Sequence, residues 1–598
     1  MGPIFDGSLF LRFCKKISRT FSAAAETSLL LGRKNRPAHS RESRIAAWLN
    51  RFHLSSSLEN AMRDSRLCRW LYNYPQWIST SKAYHLLLLF APVLLLTSIA
   101  MAAQRQWMHC GILLTLLGFF TVFLSNPIPL TRILSGSRLL QRVTKHLSVS
   151  EKPSRPSFSA YLCCCGLCGG IVAIQWGMGT GLALAIAMGI FPVFFALPPM
   201  LLLYLLMAVL PVGNTTLCWG MSLALCVLYF FARAFGNEEG KPLDGTDLLL
   251  LLFPVFCVLS TLFSFHIVGS AKVAFMWLGL FVCVFVIRRL VHTRRRLIGT
   301  VCALLAGAVL SGGYGLYQYL SGMVNTTWTD TSIFQSLDLR VYSTFANPNV
   351  FGEFLLLVIP LATGMLLYSQ KLSHRILWAA VDTLLLCNLA LTYSRGCYVG
   401  LALAAVIFLW HFSKKWLVMI IAAAVPLSML LMPQSIIDRL MSIGNTSDTS
   451  TSFRIYIYIG TALMLARHWF GGVGLGEEAF NAIYPYYSLP AIVTPHSHSL
   501  FLQAVCSFGI AGLVYTIWVF GHYQRATASA RNALAGRDRG LMLGFNTVFW
   551  GIILQSGFDY TWYNYRVFQL FWILFSLGLC AAEILKKQEV QTHEKTPL

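Results

Sequence analysis

The chain is short of charge, and shortest of acid. Only 12% of its 598 residues are charged, and Lys and Arg outnumber Asp and Glu by 46 to 23. With 56% hydrophobic residues and a mean hydropathy of +0.63, an ordinary soluble domain is excluded. No long stretch alternates apolar and polar residues, so helices are the only spanning element that fits. No CxxC pair recurs with zinc spacing. Most of the 16 cysteines sit inside apolar runs, as Cys163, Cys164, Cys165 and Cys168 do, and read as small packing residues. Residues 1–82 are polar and basic and lack the early apolar core of a signal peptide. There is no paired acidic motif of the kind that holds a magnesium diphosphate. No internal repeat or low-complexity segment stands out.

What remains is a series of apolar runs near the ~20 residues a spanning helix needs. The net charge of +23 fits Lys and Arg on loops retained at the cytoplasmic side, not a nucleic-acid partner. The fold class expected is an all-α polytopic membrane protein of about 14–16 transmembrane helices.

Residues 1–83 carry Arg33, Lys34, Arg36, Arg41 and Arg44 in a short span. They read as a basic cytoplasmic extension, either lying on anionic lipid or poorly ordered. Spans near 83–103 and 108–125 follow, then a basic loop from Arg132 to Arg155. Residues 158–233 fit four short passes, or two passes and a re-entrant piece. The run Arg288–Arg296 is the strongest cytoplasmic mark. Taking it as inside, every later basic loop falls on the same face, and the loop 321–347 and the long insert 433–497 fall outside. The domains expected are the extension 1–83, additional spans and a basic loop at 84–191, a main transmembrane domain at 192–585, and a cytoplasmic tail at 586–598.

Within this frame a few groups carry chemistry. Arg395, in LTYSRGCYVG, sits at a span boundary. An arginine at membrane depth costs ~2.5–3.5 kcal/mol on insertion scales and marks a functional site unless it snorkels to headgroups. Arg454 lies on an amphipathic stretch of the insert, either as a solvated charge or as a ligand. His496 and His498 precede a span; a histidine there is an interfacial residue or a base. Without a nearby carboxylate pair the two make a poor metal site, and no metal or cofactor is expected. Arginines bind a diphosphate bidentately and offset its charge as it leaves, and a neutral histidine can take the proton of an incoming hydroxyl.

Four stretches resemble one family. HSLFLQAVCSFGIAG (His498–Gly512) matches the pattern H-[NSQ]-x9-G-x-x-[GTY] of the O-antigen ligase and polymerase superfamily. STFANPNVFGEFLLLVIP (Ser343–Pro360) resembles its Gly-Thr-Phe-Asn-Pro-Asn stretch, with Ser343 where glycine is usual. LTYSRGCYVGL resembles its Ser-Arg-Gly segment, and FRIYIYIGTALMLARHWFGGVGLGEEAF its outer-loop helix followed by Gly-x-Gly-x-Gly. The resemblance covers roughly Phe253 to Leu585, and the region before about Pro192 looks like an addition.

The resemblance implies a GT-C-like helical bundle that transfers a glycan from an undecaprenyl-diphosphate carrier to an acceptor hydroxyl outside the cytoplasm. The acceptor would be a glycolipid, a glycan or a protein, and the enzyme would sit in the cytoplasmic membrane without metal or nucleotide sugar. By the same resemblance Arg395 and Arg454 would bind the diphosphate, and His498 would act as base or orient the acceptor. Arg340 would be a third phosphate contact. Asn347 and Asn349 would shape their loop through Asx hydrogen bonds. Tyr484, Tyr486 and Tyr487 would stack on sugar rings or form an interfacial belt. A polymerase or a protein O-oligosaccharyltransferase would share the diphosphate site and differ in acceptor. A transporter or flippase would place its charges at midplane and show two similar halves, which this sequence does not.

Overall fold

The structure, a computed structural model, describes residues 54–80, 85–124, 156–236, 242–323, 340–431, 449–489 and 492–594. The expectations for residues 1–53, the basic loop 125–155, the middle of the loop at 324–339 and the start of the insert at 432–448 lie outside the described residues. Two compact units divide the chain, Met1–Leu54 with Lys241–Phe253, and Ser55–Gly240 with Pro254–Leu598. In the first, Asp244 Oδ1 accepts from the backbone N–H groups of Thr246 and Asp247, while Asp247 Oδ2 accepts from Asp244 N–H. That reciprocal cap starts a helix at Gly245.

The described helices begin with α1 (Leu54–Asp64), α2 (Arg66–Thr80), α3 (His85–Ala103), α4 (Trp107–Leu124), α5 (Pro156–Trp176) and α6 (Met178–Ile190). Small residues set their spacing. A Cβ on Gly169 of α5 would run into the Gly181 carbonyl of α6, so the two backbones touch. Tyr74 and Trp77 of α2 are buried with Leu89, Val93, Phe158 and Leu162, and Tyr74 donates to the Gly189 carbonyl at 2.6 Å. Aromatic side chains pack α2 onto the spans that follow it.

The chain continues through α7 (Pro199–Val209), α8 (Thr215–Ala234), α9 (Gly245–Leu262), α10 (Ile267–Phe281), α11 (Cys283–Leu290) and α12 (Arg294–Leu320). Next come α13 (Pro348–Tyr368), α14 (Leu372–Leu391), α15 (Arg395–Phe412), α16 (Lys414–Leu431), α17 (Thr449–His468) and α18 (Gly476–Ile483). The last three are α19 (Leu500–Ala533), α20 (Gly536–Phe558) and α21 (Tyr565–Glu594). Caps mark several starts. Asn214, Thr293 and Asn347 each accept a backbone N–H ahead of α8, α12 and α13.

Among the described residues 13 helices are long and apolar enough to cross a membrane, and Trp107–Val122 and Pro199–Val209 are shorter apolar helices. No strand occurs among them. The protein is an all-α, multi-pass membrane protein. Residues 158–233, open in the sequence, form α5, α6, the short α7 and α8. α21 is the central element, with 94% of its apolar window buried, against 78% for α13 and 72% for α20. α20 meets α13 where Gly544 faces Gly364, and α15 where Gly551 faces Gly400.

The bundle has two chemically different ends. Arg294, at the start of α12, pairs with Asp538 at the start of α20 and donates to Tyr368 Oη at the end of α13. It also reaches Gln588 of α21 at 3.5 Å. The opposite ends of α13 and α20, with the starts of α15, α19 and α21, carry the turns of the motifs. α20, with 23 residues, separates the two ends by roughly 34 Å at 1.5 Å per residue.

Candidate functional site

The insert is locked onto the membrane helices before it presents any side chain. Gly472, Gly474 and Gly476 have φ of 75°, 118° and 82°, the left-handed region that glycine enters without strain. Val473 N–H donates to the Cys506 carbonyl at 2.6 Å, and Leu475 N–H to Ser270 Oγ at 2.9 Å. α19 breaks at Gly509 (φ 69°, ψ −171°), and there Ile510 N–H donates to the Trp469 carbonyl at 2.8 Å. A Cβ on Gly509 would collide with the Phe470 carbonyl. The motif glycine eleven positions after His498 is thus the point where the insert enters the bundle.

Tyr484 belongs to this docking, not to a sugar platform. It is fully buried with Met464, Leu465, Val473 and Phe480, and its ring stacks on Phe480 at 4.8 Å. The expected substrate contact is corrected on that ground: a ring with both faces inside a core has none for a sugar. Tyr486 is 83% exposed.

Docking brings Arg454 of α17 and His498, just before α19, to the end of α20. There Asp559 receives both. His498 Nδ1 lies 3.3 Å from Asp559 Oδ1, and Arg454 Nη2 lies 3.4 Å from Oδ2. All three side chains are partly exposed. Burial pushes the Asp559 carboxyl up, but the His498 hydrogen bond and the charge of Arg454 outweigh it. The group ends well below the usual carboxylate range and stays ionised.

His496 lies under this pair, 5% exposed, with its ring 4.3 Å from that of His498. Burial, helped by repulsion from His498, brings its pKa down to about 3, so it is neutral at ordinary pH. Its Nδ1 accepts the backbone N–H of His498 at 3.1 Å, and Tyr458 Oη donates to the His498 carbonyl at 3.1 Å. Ser497 N–H donates to Gln503 Oε1 at 2.9 Å, which fixes the turn against the first helical residues of α19.

A second group forms around the Asn-Pro-Asn turn. Asn347 Oδ1 accepts from Asn349 N–H at 2.9 Å, an Asx turn opening α13. Arg340 is 5% exposed; its Nη2 donates to Asn349 Oδ1 and its Nε to the Thr392 carbonyl, both at 3.0 Å. Arg340 thereby ties the Asn-Pro-Asn turn to the turn that leads into Arg395. Arg566, absent from the sequence reading, supports the same turn. It donates to the Thr344 carbonyl at 2.5 Å and lies over the Phe345 ring at 4.0 Å.

The two groups abut the end of α20. Arg395 begins α15 and is half-buried, and a Cβ on the adjacent Gly396 would overlap Gln555. Gln555 is one turn before Asp559 and accepts its backbone N–H at 2.9 Å. Gln555 Nε2 also reaches Glu353 Oε1 at 3.5 Å, one turn into α13 from Asn349. His498, Arg454 and the start of α15 thus share this end, with Arg340, Asn347 and Asn349 behind it.

Backbone strain marks the same places. Among the described residues, non-glycine residues with positive φ are Arg105, Ser343, Ala346, Tyr393 and His498, the last four all in motif turns. Each costs on the order of 1–3 kcal/mol and persists only where its surroundings over-determine it. Ser343, at φ 50°, shows why glycine suits that position. Three hydrogen bonds offset its strain: N–H to Gln318 Oε1 at 2.7 Å, Oγ to the Ser311 carbonyl at 2.6 Å, and Oγ with Ser311 Oγ at 2.9 Å.

Sequence reasoning found no carboxylate near the histidines, because Asp559 lies beyond two whole intervening spans, α19 and α20. Its only local signal was an acid at the polar end of an apolar run. Glu353, also absent from the sequence reading, carried a stronger signal, since an acid inside a span is itself a marker. Asp559 also completes a group able to hold a metal: His496, His498 and Asp559 each offer a ligand atom, all within 4.8 Å of one another. The hydrogen bonds argue against that use. His496 Nδ1 already accepts a backbone N–H, which makes Nε2 the protonated nitrogen, and Arg454 sits on the other oxygen of Asp559.

Residues 380–517 match the family model described as O-Antigen ligase. The match begins in α14 and ends in α19, so it contains Arg395, Arg454 and His498 but not Arg340 or Asp559. It supports a membrane protein of the O-antigen ligase-like family, in agreement with the motifs. No curated protein matches the chain.

Proposed function

We propose that this protein is a membrane glycosyltransferase. It moves a glycan from an undecaprenyl-diphosphate carrier to an acceptor hydroxyl on the extracytoplasmic face, in cell-surface polysaccharide synthesis. The observation that carries the proposal is the Asp559 carboxylate shared by His498 and Arg454. With Nδ1–H of His498 donated to an ionised Asp559, the neutral imidazole presents Nε2 as a free base. The acceptor hydroxyl gives its proton to Nε2 as its oxygen bonds to the anomeric carbon. The bond from that carbon to the carrier phosphate breaks, and the lipid diphosphate leaves with the electron pair. Asp559 steadies the imidazolium so formed, while Arg454 and Arg395 meet the charge that builds on the diphosphate.

Arg340, Asn347 and Asn349 act one step back, holding the turn that presents Arg395. The extracytoplasmic placement is supported by the basic cluster around Arg294, which sits at the other end of the bundle and by its charge belongs inside. The test is purified protein in nanodiscs with a lipid-diphosphate glycan and a panel of glycolipid, glycan and protein acceptors. Transfer to at least one acceptor, abolished in His498→Ala, is expected. No transfer to any of them by correctly folded protein would overturn the proposal.

A further inference from the structure

We infer that His496 and Tyr458 are positioning residues that clamp the backbone of His498 from both sides and so aim its imidazole; this rests on the proposed transferase reading. His498 has φ 51°, a conformation that side chains rarely adopt and that a loop holds only under constraint. Both of its peptide groups are taken by side chains. Its N–H goes to His496 Nδ1 and its carbonyl receives Tyr458 Oη, each at 3.1 Å.

The two clamps come from different places. Tyr458 stands one turn after Arg454 on α17, so one helix face delivers both the guanidinium and the hydroxyl. Its hydroxyl also lies 3.4 Å from the Phe558 carbonyl, the residue before Asp559. One phenol therefore spans the two backbone segments that carry His498 and Asp559. His496 works from below. It is enclosed between the His498 ring and the rings of Tyr560 and Tyr563, at 5.4 and 4.7 Å. Buried there, it stays a neutral acceptor, and Tyr458 stays a protonated donor because burial raises its phenol.

Neither residue touches the reacting atoms in this scheme. Loosening either would let His498 relax toward ordinary backbone angles and swing its ring off Asp559. A misplacement of the order of an ångström costs up to roughly 100-fold in rate.

The test compares Tyr458→Phe, His496→Leu and His496→Asn with wild type in the transfer assay, together with thermal midpoints in detergent. Tyr458→Phe removes one oxygen, and His496→Leu removes the acceptor while filling the space. Both are expected to lower kcat at least about tenfold with KM for the lipid-linked donor within about twofold. His496→Asn, whose Oδ1 can stand where Nδ1 did, is expected to recover most of the rate.

Wild-type kcat in both Tyr458→Phe and His496→Leu, beside an inactive His498→Ala, would overturn the clamp and leave the transferase reading intact. So would an asparagine as slow as the leucine, or losses that simply follow the thermal midpoint. A His498→Ala protein as active as wild type would overturn the transferase reading and the clamp with it.

Discussion

Asp559 and His498 are 61 residues apart in the chain and 3.3 Å apart in space. A complete transmembrane passage out and back lies between them, through α19 and α20. Their meeting gives the histidine a fixed tautomer and gives Arg454, on a third element, an anion to rest on.

Replacing that anion by an isosteric amide tests the pairing. Asp559→Asn keeps the volume, but the amide can donate to Nδ1, which turns Nε2 into the protonated nitrogen and removes the base. Transfer is expected to fall about 10²- to 10⁴-fold, read as kcat under saturating donor. Unchanged kcat would mean that the His498–Asp559 contact plays no part in proton transfer.

Arg395 and Arg454 bear on the leaving group. Arg395→Ala and Arg454→Ala should each cost roughly 10²- to 10³-fold in transfer while the protein still inserts. Insertion is checked by protease accessibility of loops on both faces. Full activity in both variants would remove the diphosphate assignment.

Hydrogen bonds at His496, and Arg454 beside Asp559, leave the three-ligand group poorly suited to an ion. Transfer is therefore expected to survive EDTA without loss. A strict requirement for an added divalent cation, relieved by no other treatment, would move the chemistry onto His496, His498 and Asp559 as ligands.

The buried imidazole of His496 also sets a pH dependence of stability. Its pKa is about 3 in the folded protein, against ~6.5 in an unfolded chain. Between these values the unfolded state binds a proton that the folded state refuses, so acid destabilises the fold. The loss is about 2 kcal/mol from pH 7 to pH 5. Asp559, depressed below the carboxylate range, contributes stability that is lost only at lower pH. The thermal midpoint of wild type should drop more than that of His496→Asn on going from pH 7 to pH 5. Parallel curves would show that His496 does not titrate as described.

Tyr484 and Tyr486 separate packing from recognition. Tyr484→Ala removes a fully buried ring and should destabilise the docked insert by ~3–5 kcal/mol. Tyr486→Ala, at an 83% exposed position, should change stability by no more than about 0.5 kcal/mol. Thermal midpoints decide the first comparison. A rise in donor KM for Tyr486→Ala alone would mark Tyr486 as the residue that meets the glycan.

The spans were legible in the sequence because hydropathy is local: each run of about 20 apolar residues meets the bilayer's requirement by itself. The arginine and histidine motifs were legible too, since a cation at a span boundary is costly wherever the rest of the chain lies. The purpose of Gly509 and of the left-handed Ser343 was not, because each answers a carbonyl or a side chain from a distant segment. Tyr484 shows the same limit from the other side, as an aromatic whose surroundings, not its type, decided that it packs.

By itself, then, the amino-acid order determined a helical membrane protein and most of the groups at one of its polar ends. Only the tertiary structure decided that Asp559 joins Arg454 and His498, and that α2 packs with the spans after it. Helix ends are brought together by close contacts such as Gly544 on Gly364 and Gly551 on Gly400. Those contacts depend on which helix faces which, a relation that no local window of sequence contains.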